Sequence, residues 1–220
     1  MIDLHTHSLF SDGVLLPSEL ARRAYSVGYK VLAITDHVDS SNIDFVVPRI
    51  VKAAGDIGRY SKLTLIPGAE ITHVPPELIR RLVTEARELG AKLVIVHGET
   101  VTEPVIKGTN RAAIEAGADM IAHPGLISRD DVMTAKKKGV VLEITSRKGH
   151  SISNGYVAKT AAEIGADLII NTDSHSPEDL ITVDLARIVL RSAGIPEGAI
   201  GKIFENSKKL AKKICKESRR

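Results

Sequence analysis

Short apolar runs recur along the chain, and almost all of them end on a histidine or an acid. Ile2-Asp3-Leu4 leads into His5-Thr6-His7, and Val31-Leu32-Ala33-Ile34 leads into Thr35-Asp36-His37. Leu65–Ala69 ends on Glu70, Leu93–Val96 on His97, Met120–Ala122 on His123, and Leu168–Ile170 on Asn171-Thr172-Asp173-Ser174-His175. Runs this short, apolar and rich in β-branched residues predict buried parallel strands. With Leu63–Glu70 and Val140–Thr145, the pattern predicts about seven strands.

A weak repeat links them. Ala86–Ile95, Ala113–Ile121, Ala135–Leu142 and Ala162–Ile169 share one plan, and Arg23–Leu32 is an earlier copy. Each copy is a helix end, a glycine and then a strand. The spacing of roughly 22–30 residues is one βα unit. Helix starts are predicted after Pro17-Ser18-Glu19 and Pro75-Pro76-Glu77. Thr109-Asn110 is expected to cap a helix ending near Gly117, and Ser176-Pro177-Glu178-Asp179 to open a long one ending near Gly194. Val38–Phe45 and Glu99–Gly108 read as irregular loops on the strand-end face. Alternating β and α units imply a parallel sheet with outer helices, and seven or eight of them close into a distorted TIM-like barrel. The expectation is one domain over residues 1–220.

Composition narrows the class. The 220 residues are 43% hydrophobic and 26% charged, with a net charge of +3, as in an ordinary globular protein. Much of the positive excess lies in the last stretch from Lys208, read as a solvated helix end whose charges suit its dipole. A lone Cys215 excludes an internal disulfide. The chain enters a strand at once, leaving no room for a signal peptide, and no apolar run approaches the ~20 residues of a membrane span. A cytoplasmic protein is expected.

In a barrel of parallel strands the C-terminal ends meet on one face, where chemistry is built. A single strand-end histidine is usually a hydrogen-bonded structural residue. Here six of the eight histidines share one level of the barrel. Such a cluster is costly to desolvate unless cations neutralise its acids and use its lone pairs. Imidazole with carboxylate is the ligand mix of zinc, manganese and iron. His5 and His7, two apart on a strand, can hold one ion, and Asp173 and His175 repeat that spacing. Of Asp36 and His37 only one can face inward.

These motifs resemble the PHP (polymerase and histidinol phosphatase) family of metal-dependent phosphoesterases over nearly the whole chain. The resemblance rests on Asp3-Leu4-His5-Thr6-His7-Ser8 with Ser11-Asp12-Gly13, Ile34-Thr35-Asp36-His37, Gly68-Ala69-Glu70, Val96-His97, Ala122-His123-Pro124 and Thr172-Asp173-Ser174-His175. It implies a distorted seven-stranded βα barrel and three divalent cations. His5, His7, Glu70 and Asp173 would hold the first, Glu70 would bridge to a second held by His97 and His123, and Asp12, His37 and His175 would hold a third. Some family members have histidine at the position of Asp12, and aspartate there makes the third site harder, favouring manganese or iron over zinc. Glu70 and Asp173 would then serve catalysis, with a metal-bridging hydroxide attacking phosphorus. Asp36 would be either catalytic or a partner orienting a ligand histidine.

Arg147, Lys148 and His150, after the sixth main strand, are candidate phosphate contacts. Glu143 stands at a strand end like the ligands, or pairs with Arg147 or Lys148, and His73 lies on the same face. The leading expectation is hydrolysis of a small phosphomonoester, with histidinol phosphate the family's best-known substrate. Action on phosphodiesters as an exonuclease is an alternative. Another is an RNA-binding role like that of a ribonuclease P protein, against which stand the full ligand set and only 3% aromatic residues. Amidohydrolase chemistry also uses a strand-one H-x-H, but it typically bridges its metals with a carboxylated lysine, and the run ending Val96-His97 offers none.

Overall fold

The computed structural model describes residues 1–217. Residues 218–220, the end of the basic segment, lie outside the described residues. Strands β1 (Ile2–Asp3), β2 (Val31–Ile34), β3 (His37–Val38), β4 (Thr64–Ile71), β5 (Leu93–His97), β6 (Met120–Ala122), β7 (Val141–Thr145) and β8 (Leu168–Asn171) are all parallel where they pair. They run in the order β1-β2-β4-β5-β6-β7-β8, with β3 on β4 beyond the end of β2. β2 and β3 therefore share one stave, because Ile34 pairs with Pro67 and His37 with Glu70 on the same long β4. Seven staves result, as expected. The bridge Thr6–Ser174 and the bonds from His7 N to Ser174 O (2.8 Å) and Asp173 N to His5 O (3.0 Å) nearly close the barrel.

Helices α1 (Pro17–Val27), α2 (Ile43–Tyr60), α3 (Pro76–Glu88), α4 (Thr109–Ala116), α5 (Arg129–Lys138), α6 (Asn154–Ile164), α7 (Val183–Ser192) and α8 (Glu197–Glu217) complete the described chain. The repeat read from the sequence is the helix stop. Gly117 and Gly165 end their helices at φ 78° and 77°, a conformation that costs other residues strain.

Strand alternation sorts the side chains. Leu93 and Ile95 of β5 point into the barrel with Leu4, Ala33, Ile66, Met120, Ala122, Val141 and Ile169. Val94 and Val96 point out to the helix layer. Continuing the inward phase upward, Ile66 leads to Gly68 and Glu70, Ile95 to His97, and Val141 to Glu143. The apolar floor and polar ceiling of the barrel are thus successive layers of the same strands.

Four details differ from the sequence reading. The helix predicted from Thr109-Asn110 begins after Gly108 without a side-chain cap. Asn110 is used elsewhere, holding Glu99 N and Pro124 O. The long helix predicted from Ser176 is broken. A 3-10 turn, Pro177–Asp179, is followed by extended Leu180, and α7 starts at Val183 with Thr182 as its cap. The irregular stretch expected through Phe45 ends earlier, since α2 begins at Ile43. Finally, α8 is not only a solvated surface helix. Leu210, Ala211 and Ile214 are buried in the interior cluster and close the end of the barrel away from the strand tips. No helix among the described residues is long and apolar enough to cross a membrane.

Candidate metal centre

His5, His7, Glu70 and Asp173 converge at the C-terminal face. Glu70 Oε2 lies 3.3 Å from His5 Nε2 and 3.5 Å from His7 Nε2. Asp173 Oδ1 lies 3.5 Å from His5 Nε2 and 3.2 Å from His7 Nε2. The four contacts close a ring. Donors sharing one ion at about 2.1 Å stand about 3.0–3.4 Å apart, so these spacings suit a common cation. His5 Nε2, His7 Nε2 and Glu70 Oε1 are buried with no hydrogen-bond partner. Buried polar atoms left open in this way are costly unless something binds them. The donor set therefore fits a divalent cation.

A second group lies beside it. Asp12 Oδ1 is 3.1 Å from His175 Nε2 and 3.5 Å from His37 Nε2, and with His7 these residues form a cation-sized cluster. His37, not Asp36, faces the cavity. Its Nδ1 is engaged by Thr72 Oγ1 (2.7 Å) and Glu70 Oε2 (2.8 Å), which leaves Nε2 for Asp12. Gly13 permits this loop to form, since a side chain there would meet the His7 carbonyl oxygen at 2.4 Å.

The set implied for the second cation is looser. His123 Nε2 is 3.9 Å from Glu70 Oε1 and 3.6 Å from Asp173 Oδ2, whereas His97 turns its Nε2 toward Glu103 (3.2 Å). His123 and Asp173 reach inward by different routes. Strand phase would aim His123 outward after inward Ala122, and a φ of 26° turns it in. Asp173 adopts φ 53°, as does His73. Among the described residues, the three left-handed non-glycine residues cluster at this face, where backbone strain marks functional sites.

Electrostatics follow burial and neighbours. Burial pushes the Asp173 carboxyl up to about 7. Burial opposes the charge on Glu70, yet His5 and His37 beside it hold it well below the usual range. His5 is raised well above its ordinary value, because Glu143, Glu70 and Asp173 outweigh its burial. Burial, with the neighbouring His37 and His97 respectively, keeps His7 and His123 low and neutral, the form that ligates a cation.

Residues around the ligands take specific roles. Asp36 is fully buried and accepts from Ser8 N, Ser8 Oγ and Ser11 Oγ, each at 2.7 Å. It fixes the loop carrying Asp12 and reaches His7 only through Ser11, whose Oγ is 3.5 Å from Nδ1. Arg147 pairs with Asp179 (3.1 Å), which also accepts from His175 N (3.0 Å), so it braces the last ligand loop. Lys148 is exposed on the same turn. His150 is buried, with Nδ1 on Thr100 Oγ1 (2.7 Å) and its ring stacked on His123 at 4.1 Å.

Glu143 pairs with neither Arg147 nor Lys148. It accepts from His5 Nδ1 (2.8 Å), Asn171 Nδ2 (2.9 Å) and His123 N (2.9 Å). Its inward phase two residues after Val141 was the available signal. Glu103 was not singled out by the sequence, because a loop acid carries no periodic mark. Asp3 joins β1 to β8, accepting from Thr172 Oγ1 (2.6 Å) and Thr172 N (3.2 Å).

The class is thus a βα barrel bearing a histidine–carboxylate centre at the C-terminal rim of its strands. The chain belongs to the PHP domain family, whose profile matches residues 3–218. It is 43% identical over 219 residues to an uncharacterised protein of Methanocaldococcus jannaschii, covering 96% of this chain and 99% of that one. It is 27% identical over 248 residues to a protein of Thermoanaerobacter sp. named a probable phosphatase, covering 97% of each. In fold it is similar to a chain in a structure of archaeal ribonuclease P with mature tRNA, at a TM-score of 0.76 and 16% identity, covering 99% of this chain and 93% of that one.

Proposed function

We propose that the protein is a metal-dependent phosphoesterase that hydrolyses a small phosphomonoester at a centre of up to three cations, zinc, manganese or iron, in the cytoplasm. The observation that carries the reading is the buried ring of His5, His7, Glu70 and Asp173, in which His5 Nε2, His7 Nε2 and Glu70 Oε1 have no hydrogen-bond partner in the protein. Family membership and the phosphatase-named relative agree with it.

When bound, such cations lower the pKa of coordinated water toward neutrality and offset charge on a phosphate. The protein's own part is preorganisation. Glu143 fixes the His5 tautomer by accepting from Nδ1, so Nε2 faces the cavity. His175 donates Nδ1 to the Asp173 carbonyl (2.9 Å), which sends its Nε2 to Asp12. Burial raises the Asp173 carboxyl to about 7 in the cation-free fold, so Asp173 gives up its proton on holding a cation. Asp36 acts by holding the Ser8–Asp12 loop. Lys148, exposed on this turn, and Arg147, paired with Asp179, are the cations placed to meet substrate phosphate.

The likeness to the ribonuclease P chain favours a second reading, RNA binding without catalysis. A scaffold of that kind has no use for buried, unpartnered ligand atoms. The deciding assay is phosphate release from a phosphomonoester panel by metal-stripped protein refilled with manganese, zinc or iron, beside Glu70→Gln. Metal-dependent release that the variant abolishes supports the reading. No release from folded, metal-loaded protein rejects it in favour of phosphodiester or RNA roles.

A further inference from the structure

Glu103 sits on the β5–α4 loop among three imidazoles from three elements. Its Oε2 lies 3.0 Å from His73 Nε2 and 3.2 Å from His97 Nε2, and its Oε1 lies 3.3 Å from His150 Nε2. These spacings are close to those of the inner ring around Glu70 and Asp173, which run from 3.2 to 3.5 Å. His97, His123 and His150, all buried, also offer ring nitrogens within 4.8 Å of one another. His97 Nδ1 and His123 Nδ1 are buried and have no hydrogen-bond partner.

The loop is built to hold Glu103 there. Glu99 Oε1 accepts from Gly108 N and Asn110 N, both at 3.0 Å, which cinches the loop at its base. Gly98 packs so closely that a side chain would meet Ala122 O at 2.4 Å. Thr100 and Thr102 engage His150 Nδ1 at 2.7 and 3.1 Å, so Nε2 is the atom presented to the carboxylate. His73 holds the carboxylate from the outer side.

A carboxylate ringed by imidazoles does not by itself attract a phosphate dianion, but it is a good cation site. We propose that His150 and Glu103 complete, with His97 and His123, the coordination of one divalent cation at the edge of the cavity. Three imidazoles with the Glu103 and Glu70 carboxylates suit zinc or iron better than manganese. The ligand set implied by family resemblance, Glu70 with His97 and His123, would then be extended by Glu103 of this loop and His150 of the turn after β7. The inference rests on the metal-centre reading above and not on the substrate.

The test counts cations rather than turnover. Full-length protein, metal-stripped, is dialysed against buffered zinc as wild type, E103Q and H150Q, and bound zinc is measured. Cobalt substitution gives a second readout through its visible absorption, which reports coordination. The expected result is that each variant binds one cation about tenfold to a hundredfold more weakly, with the cobalt spectrum altered. Folded variants that keep the wild-type count, affinity and spectrum overturn the proposal. Glu103 is part-exposed on a loop, so E103Q decides the matter even if H150Q does not fold. Wild type that binds no cation overturns this proposal and the metal centre together. Wild type that binds cations but releases no phosphate leaves the variant comparison to decide and rejects only the substrate reading.

Discussion

Replacing Glu143 by Gln tests how far one buried carboxylate organises the centre. The substitution keeps the shape and removes the charge. Glu143 is fully buried and receives three donors, His5 Nδ1, Asn171 Nδ2 and His123 N. A glutamine offers one acceptor oxygen and one NH2 group. If the NH2 faces His123 N, two donors confront each other and the strained His123 backbone loses its anchor. If it faces His5, Nδ1 must become the acceptor, and the ring proton moves to Nε2, where it blocks a ligand position.

Either arrangement leaves a buried donor unpaired, at about 1–3 kcal/mol. For a domain of this size about 2 kcal/mol is a fall of about 4–8 °C in Tm. Loss of such an outer partner also weakens cation binding about tenfold to a hundredfold. Differential scanning fluorimetry of stripped protein and zinc titration read the two effects separately. In the phosphatase assay the loss is expected in kcat more than in KM, since Glu143 touches no substrate. An E143Q protein that melts within about 1 °C of wild type and binds zinc equally well would refute the argument.

Two further predictions follow from groups already described. Burial pulls His37 down, but Glu70 at 2.8 Å outweighs it and raises His37 to about 8, while burial raises Asp173 to about 7. The cation-free fold therefore holds protons on both groups below pH 6 that a cation must displace, so stabilisation by added zinc should grow from about pH 6 to 9 and level off above, and a zinc-induced Tm shift flat over that window contradicts this. Tyr29→Phe removes a buried hydroxyl that donates to Ile181 O (3.0 Å) and accepts from Ile181 N (3.1 Å). It should cost about 2 kcal/mol by leaving both backbone groups unpaired, with unchanged zinc stoichiometry, and a wild-type Tm would refute it.

Much of the site was legible because it follows strand phase. Glu70, His97 and His37 lie inward at even steps from Ile66, Ile95 and Ala33. His5 and His7, two apart, both reach Glu70 and Asp173. Other roles do not follow phase. His123 breaks alternation through a positive φ, and no sequence periodicity encodes that. Asp36 and His37 are neighbours, yet one braces a loop and the other faces the cavity. Arg147 stands where an anion contact was expected, and its pairing with Asp179, 32 residues on, has no local signal in the sequence.

The sequence by itself determined the layers of this protein. Period-two alternation, repeated helix stops and polar strand ends specify a parallel barrel with an apolar floor and an imidazole–carboxylate rim. Those are local signals, written within a few residues of where they act. Only the tertiary structure decided the pairings across the rim. Glu143 meets His5 from 138 residues away, Glu103 meets His73 from 30, and α8 returns Leu210 and Ile214 to the barrel floor near Leu4. Such contacts depend on barrel closure and loop trajectories, which no single segment carries.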